Sequence, residues 1–265
     1  MSSLKAIIYL HSLRTWRYKY SFINGAINVG LWIAIFILGA LLFVPAKELP
    51  MTAPYIFWGI ILWNVLSSSV WSVGGWTQFF LSLGMYEEHK LANTSVLKVI
   101  SGRSITVLMD IVLITPIMYF LVTQITGGKV IFAVSPLYIL MGFLGMFLMS
   151  LSYGLSLSAL SLRMGVPGTL LDISNFFLLV MGGIAVPVES LPGPAKLLAI
   201  AIPFSHPAEI VRYGATGNPT YIPLHIELMI MWIYTAALLL LAYFLFRYVE
   251  DKYLRLYGPR AVGRM

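Results

Sequence analysis

Cysteine is absent from the 265 residues, which removes disulfides, thiolate metal sites and cysteine nucleophiles together. Charge is scarce as well. Only 10% of the residues are Asp, Glu, Lys or Arg, where a soluble domain carries about 25%. With 59% hydrophobic residues and a mean hydropathy of +0.88, that scarcity excludes a soluble domain and indicates an integral membrane protein. A Walker A motif is missing: Gly127-Gly128-Lys129 is followed by Val130. The chain therefore has no P-loop with which to hydrolyse ATP, and energy for any powered transport must arrive through a partner. No H-E-x-x-H occurs, so zincin chemistry lacks its ligands and no metal is expected. The four histidines (His11, His89, His206, His225) fall in expected flanks or loops, away from the only serine run of interest. That run, Gly154-Leu155-Ser156-Leu157-Ser158, falls short of G-x-S-x-G. Ser150, Gly154 and Ser158, spaced four apart, instead form a small-residue face for helix packing. Neither a catalytic residue nor an enzyme is expected here.

What the chain does have is apolar length. Six segments suit bilayer crossing, which takes about 20 apolar residues: 22–44, 55–75, 104–125, 136–160, 170–186 and 224–246. The expected fold is all-α, with a six-helix transmembrane domain over 22–246, a lead at 1–21 and a basic tail at 247–265. The first apolar run exceeds a signal-peptide core and follows a basic lead, so a cleavable signal is not expected. Thirteen Lys and Arg flank the spans on the side of both termini and four on the other, which puts both termini in the cytoplasm. The lead, with Leu4, Ile7 and Ile8 and basic residues towards Lys19, is expected to lie on the inner membrane surface as an interfacial helix.

Three of the ten acidic residues lie in or near spans. Asp110 sits about two turns into the third, where it faces a polar path, pairs with a basic group, or rests satisfied inside the bundle. Thr169-Leu170-Leu171-Asp172 resembles a capping box that opens the fifth span. Glu227, four residues after Pro223, occupies a first-turn position in the sixth. The three do not form a spaced proton relay.

Two connections are unusually long, and such loops are commonly functional or structured. The outer one, 187–223, holds seven of the fourteen prolines. Prolines 187, 192, 194, 203 and 207 cut an apolar stretch into pieces too short to span, the longest being 195–202. Backbone polar groups must be satisfied at membrane depth, so these pieces are expected to be short helices in a cap that enters the outer layer and turns back. A second piece, 207–214, places Glu209 and Arg212 at i, i+3 as an ion pair. The cytoplasmic connection, 76–103, reads as a short charged helix, with Glu87 and Glu88 leading and Leu91, Thr94/Ser95 and Lys98 along one face.

In these features the chain resembles the transmembrane subunits of the type 2 ABC exporter permease family. The resemblance is carried by residues 175–217, NFFLLVMGGIAVPVESLPGPAKLLAIAIPFSHPAEIVRYGATG, in which Gly182, Pro187, Leu191, Pro192, Pro203, Pro207 and Arg212 follow the family order. In the cytoplasmic loop Glu88, Thr94 and Ser101 fit the family pattern, whereas its second acidic residue and its proline are missing. The resemblance implies a core of two identical copies of this chain in the plasma membrane, with two ATP-binding subunits that carry ATP and magnesium. Tyr86, Glu87, Glu88, Lys90, Leu91, Asn93 and Thr94 would couple to those subunits, and the outer helices would close the pathway. Asn64, Ser67 and Ser68 in the second span, with Asn175, Phe176 and Phe177 in the fifth, are the pathway candidates; interhelical packing is the competing account of each. The family exports drugs, lipids and lipid-linked glycans. A hydrophobic or amphipathic cargo is expected, with lipid-linked polysaccharide as the alternative that the RTWRYKYSF lead at 14–22 suggests. A secondary transporter would need inverted repeats, and no matching halves are visible.

Overall fold

Proline and glycine punctuate the helices of the computed structural model, which describes residues 3–20, 47–85, 94–128, 133–164 and 168–254 with isolated positions between them. Helix α1 is Ser3–Arg17 and α2 is Leu49–Ser69, continued by a wide π turn, Val70–Gly75, and by α3, Trp76–Ser82. Then come α4 (Val96–Ser101), α5 (Ser104–Thr126), α6 (Pro136–Met164) and α7 (Gly168–Met181). A 3-10 turn, Val188–Ser190, leads into α8 (Gly193–Ala201), α9 (Ser205–Thr216) and α10 (Leu224–Val249). Strands do not occur among the described residues. Gly127 and Gly217 close α5 and α9 with φ of 65° and 76°, a left-handed geometry that other residues adopt at a cost.

The protein is an α-helical membrane protein. Among the described residues, four helical runs are long and apolar enough to cross a bilayer: Pro50–Leu81, Val96–Thr126, Pro136–Met164 and Leu224–Lys252, of 29 to 32 residues. At 1.5 Å per residue even the shorter ones reach about 43 Å, beyond the roughly 30 Å of hydrocarbon. The expected fifth span, 170–186, is a shorter helix: α7 has 14 residues and stops at Met181. Its apolar run continues, but the Gly182-Gly183 pair ends the helix, with Gly183 at φ 63°. Most of the expected first span, 22–44, lies outside the described residues, as does the tail from 255.

Helix α6 is the centre of the bundle, packing on α2, α9 and α10. It does so through small residues. A Cβ at Gly154 would lie 2.5 Å from the Ser69 carbonyl oxygen, and one at Gly142 would lie 2.8 Å from the Pro207 carbonyl. Ser150 and Ser158 are fully buried on the same helix, as the four-residue spacing predicts. A second apolar cluster joins α2 to α5 through Phe57, Ile61, Ile114, Met118 and Val122. Helix α1 docks at its middle: Ile7 and His11 are buried, and both approach Gly102 at the turn between α4 and α5. Its Ile8 is exposed, so the apolar face is narrower than the sequence suggests, and the Leu4 side chain lies outside the description.

Candidate functional site

Two polar constellations stand out in this apolar framework, one in the helical cap and one in a seam along α2. The cap begins where Pro192 and Pro194 launch α8, which at nine residues reaches about 14 Å. Pro203 then turns the chain into α9, twelve residues long. These are the short helices expected at 195–202 and 207–214, each slightly extended. Helix α9 is polar in sequence yet buried almost throughout, Pro207 included, because Gly214 and Gly142 let its backbone approach α6. The burial forces its charges to find partners. Arg212, 4% exposed, donates from Nη1 to Glu209 Oε1 at 2.7 Å, the ion pair read from the i, i+3 spacing. Its Nη2 donates to the carbonyls of Gly183 at 2.7 Å and Ile184 at 2.5 Å, in the turn after α7. The Val188 N–H donates to the same Glu209 oxygen at 3.0 Å. One fork thus fastens α9 to the whole 183–188 turn. Burial lowers the Arg212 guanidinium below its ordinary pKa, while the Glu209 carboxylate acts in the opposite direction.

A second buried pair ties the cap to α10. His206 Nδ1 lies 2.5 Å from Glu227 Oε2, and Nε2 lies 3.1 Å from the Ile200 carbonyl. The ring stacks on Tyr234 with centroids 5.6 Å apart. Both ring nitrogens thus have an oxygen partner. His206 therefore belongs to the buried interior and not to a flank or loop, which corrects the sequence reading; His11 is buried too. Glu227 keeps the expected first-turn place on α10. The signal that could have joined the two is their shared place in the first turn of consecutive helices that each follow a proline-containing turn.

The seam runs along α2 and its π turn. Asn175 of α7 donates to Ser67 Oγ at 3.0 Å, and Phe176 meets Trp63 with ring centroids 6.2 Å apart. Asn64 is 4% exposed, and its Oδ1, like that of Asn175, has no hydrogen-bond partner among the described residues. Ser72 donates to the Asp110 carboxylate at 3.4 Å. Asp110 is thus held by a hydroxyl, with no cation in ion-pair contact among the described residues. Arg103 donates to the Ser72 carbonyl at 2.7 Å and lies over the Trp76 ring. The π turn leaves the Val73 carbonyl open to Thr77, at 3.0 Å, and to Ser158 across the helix pair, at 2.9 Å. Of the six pathway candidates, Ser67, Asn175 and Phe176 thus sit at the α2–α7 contact, with Asn64 and Ser68 on α2 beside them. Phe177 is half exposed on α7. Asp172 departs from its expected capping role. Helix α7 starts at Gly168, which puts Asp172 beyond the first turn, and its carboxylate accepts from the Trp71 indole at 3.2 Å.

The 76–103 loop, expected on the cytoplasmic side, is only partly described: Tyr86, Glu87, Lys90 and Asn93 lie outside the described residues. Glu88 is exposed and Leu91 is 89% exposed, with the Ala92 N–H bonded to the Glu88 carbonyl at 3.0 Å as one helical turn. Thr94 donates to the Ala92 carbonyl. The expected single face from Leu91 to Lys98 is broken at Ser95, whose ψ of 129° is extended. The reason is burial: Val96, Val99 and Ile100 turn α4 into the core. In the 187–223 connection, Pro187 precedes the 3-10 turn, Leu191 follows it half-buried, and Pro192 is exposed before α8. No protein-family model matches the chain, and no curated protein matches it.

Proposed function

We infer that this chain is the permease subunit of an ATP-driven exporter built like the type 2 ABC permeases, carrying a hydrophobic or amphipathic substrate such as a drug or lipid. The observation that carries this reading is the cap. Helices α8 and α9 are too short to cross a bilayer, and α9 is clamped by Arg212 and Glu209 to the turn after α7. Such a clamp makes the cap and the end of α7 move as one piece, which is the mechanical requirement for a lid. The polar contact between α2 and α7 at Ser67 and Asn175 supports a route beneath that lid.

In this reading the chain has six spans, the first over 22–44 and the fifth formed by α7 with the turn that follows it. The excess of Lys and Arg on one side supports both termini in the cytoplasm. Two copies form the core in the plasma membrane, and each receives an ATP-binding subunit at residues 84–98. ATP and magnesium act on those subunits, and their closure moves the exposed Glu88–Leu91 turn and, through it, α2 against α7. The test is extraction of the tagged full-length chain from membranes of its own host. A co-purifying P-loop ATPase whose hydrolysis rises with added lipids or amphiphiles is the expected result. Transport by the purified chain alone, driven by an ion gradient, would overturn the reading.

A further inference from the structure

Between α1 and α5 lies an open groove of about 470 Å³ that neither the cap nor the seam uses. It exists because α1 is anchored at Ile7 and His11, while its later residues stand off from α5. One wall is Trp16 and Lys19, and the other is Leu108, Val112 and Leu113. Along α5 the lining runs from Ile105 to Leu113, about 12 Å of continuous apolar surface. The walls are hydrocarbon, and the charge at the rim is positive. The ammonium of Lys19 sits 4.8 Å from the Trp16 ring centroid and 5.4 Å from that of Tyr20, and no carboxylate pairs with it among the described residues. Arg14 and Arg17 lie on the same helix, and the first acidic residue of the chain is Glu48.

We propose that this groove is a binding site for an anionic phospholipid, with one acyl chain along Leu108–Val112 and the phosphate at Lys19. An elongated apolar slot with a lone cationic rim matches a ligand that joins a hydrocarbon tail to a negative head. A zwitterionic lipid matches it less well, because its ammonium offsets its own phosphate. The chain's own tail from Arg255 is basic and is repelled by the same rim. The site does not depend on the exporter reading. Bound lipid would fix the angle between α1 and α5, and so the place of α1 on the bundle.

The experiment uses the full chain reconstituted in phosphatidylcholine vesicles with a minor share of phosphatidylglycerol. In one set the phosphatidylglycerol carries bromine on an acyl chain; in the other an equal share of phosphatidylcholine does. The emission of Trp16 is taken as the difference between the native chain and Trp16→Phe. We expect a roughly fivefold preference for the anionic lipid in quenching, the weight of one lysine near a charged headgroup. Lys19→Gln should abolish the preference and Lys19→Arg should keep it. Val112→Phe, which fills the groove without changing charge, should remove the quenching. Equal quenching by both lipids in the native chain would overturn the proposal, and so would quenching that persists in Val112→Phe, which would mark attraction to the surface only. The comparison of lipids on the native chain decides the matter even if a Lys19 variant fails to insert.

Discussion

His206 and Glu227 approach to 2.5 Å across 21 residues of chain, and both are buried. They join the cap to the first turn of α10, so the last span begins with its position already fixed by α9. Removing one partner of a buried hydrogen-bonded pair leaves the other unsatisfied, at about 1–3 kcal/mol. Glu227→Ala and His206→Ala are each expected to destabilise the protein by an amount of that order. The double variant should lose little more than either single one, giving a coupling of about 1–3 kcal/mol. Unfolding of the four proteins in mixed micelles measures this; additive losses would mean that the pair does not act as a unit.

Arg212 bonds both Glu209 and the 183–184 carbonyls. Lysine carries the same charge but cannot point donors in two directions from a planar fork. Arg212→Lys should therefore leave at least one buried acceptor unpaired and cost about 1–3 kcal/mol. Limited proteolysis in the 183–188 turn should become faster. Glu209→Gln, which keeps an acceptor for the Val188 N–H, should have the smaller effect.

The cap was legible in the sequence because proline has one meaning at each place it occurs. Pro192, Pro194 and Pro203 lack an N–H and fix φ, so the helices could start and stop only near where they do. The Glu209–Arg212 pair followed from helix geometry alone. The His206–Glu227 pair did not, since no local rule links residues in different helices, and α9 carries too many polar residues to look buried. The polarity is affordable only because Gly142 and Gly214 bring two backbones together, a relation between helices that sequence spacing does not encode. Helix α7 falls short of the expected fifth span for a similar reason. Hydrophobicity continues to Val186, but the backbone freedom of Gly182-Gly183 ends α7 at Met181. In the 76–103 loop, helical periodicity through Lys98 lost to the burial of Val96, Val99 and Ile100, which requires a turn at Ser95.

At Gly154 the backbones of α6 and α2 approach closely. Its missing side chain leaves room for the Ser69 carbonyl, and a Cβ would stand 2.5 Å from that oxygen. The obstacle is backbone and cannot rotate away, so Gly154→Ala must push the helices apart, at about 1–3 kcal/mol. The same shift should lengthen the bond from Ser158 to Val73, now 2.9 Å. Gly193→Ala is the control, since nothing lies within 4 Å of its Cβ position. Melting temperatures of the two variants should separate clearly, with Gly193→Ala near the native value.

Glu88 presents its carboxylate to solvent on a single helical turn, so reversing its charge and that of Glu87 should spare folding and insertion. In the exporter reading the double change to lysine lowers the transport-coupled ATPase activity of the assembled complex. Unchanged coupling, with normal amounts of chain in the membrane, would move the contact to another part of the loop.

Ser67 and Asn175 allow packing and transport to be separated by magnitude. A single interhelical hydrogen bond inside a membrane bundle averages about 0.6 kcal/mol, so Asn175→Ala should lower stability only slightly if the 3.0 Å bond to Ser67 is its whole role. The Oδ1 of Asn175 has no partner among the described residues, and neither has that of Asn64, one turn nearer the start of α2 than Ser68. Two buried acceptors beside a serine hydroxyl give a passing substrate polar groups to meet. If the seam forms part of the route, Asn175→Ala and Asn64→Ala should change substrate-stimulated hydrolysis by far more than the stability loss accounts for. Ser67→Ala, which removes only the acceptor of the helix–helix bond, should track stability. Parallel changes in all three would assign the seam to packing alone.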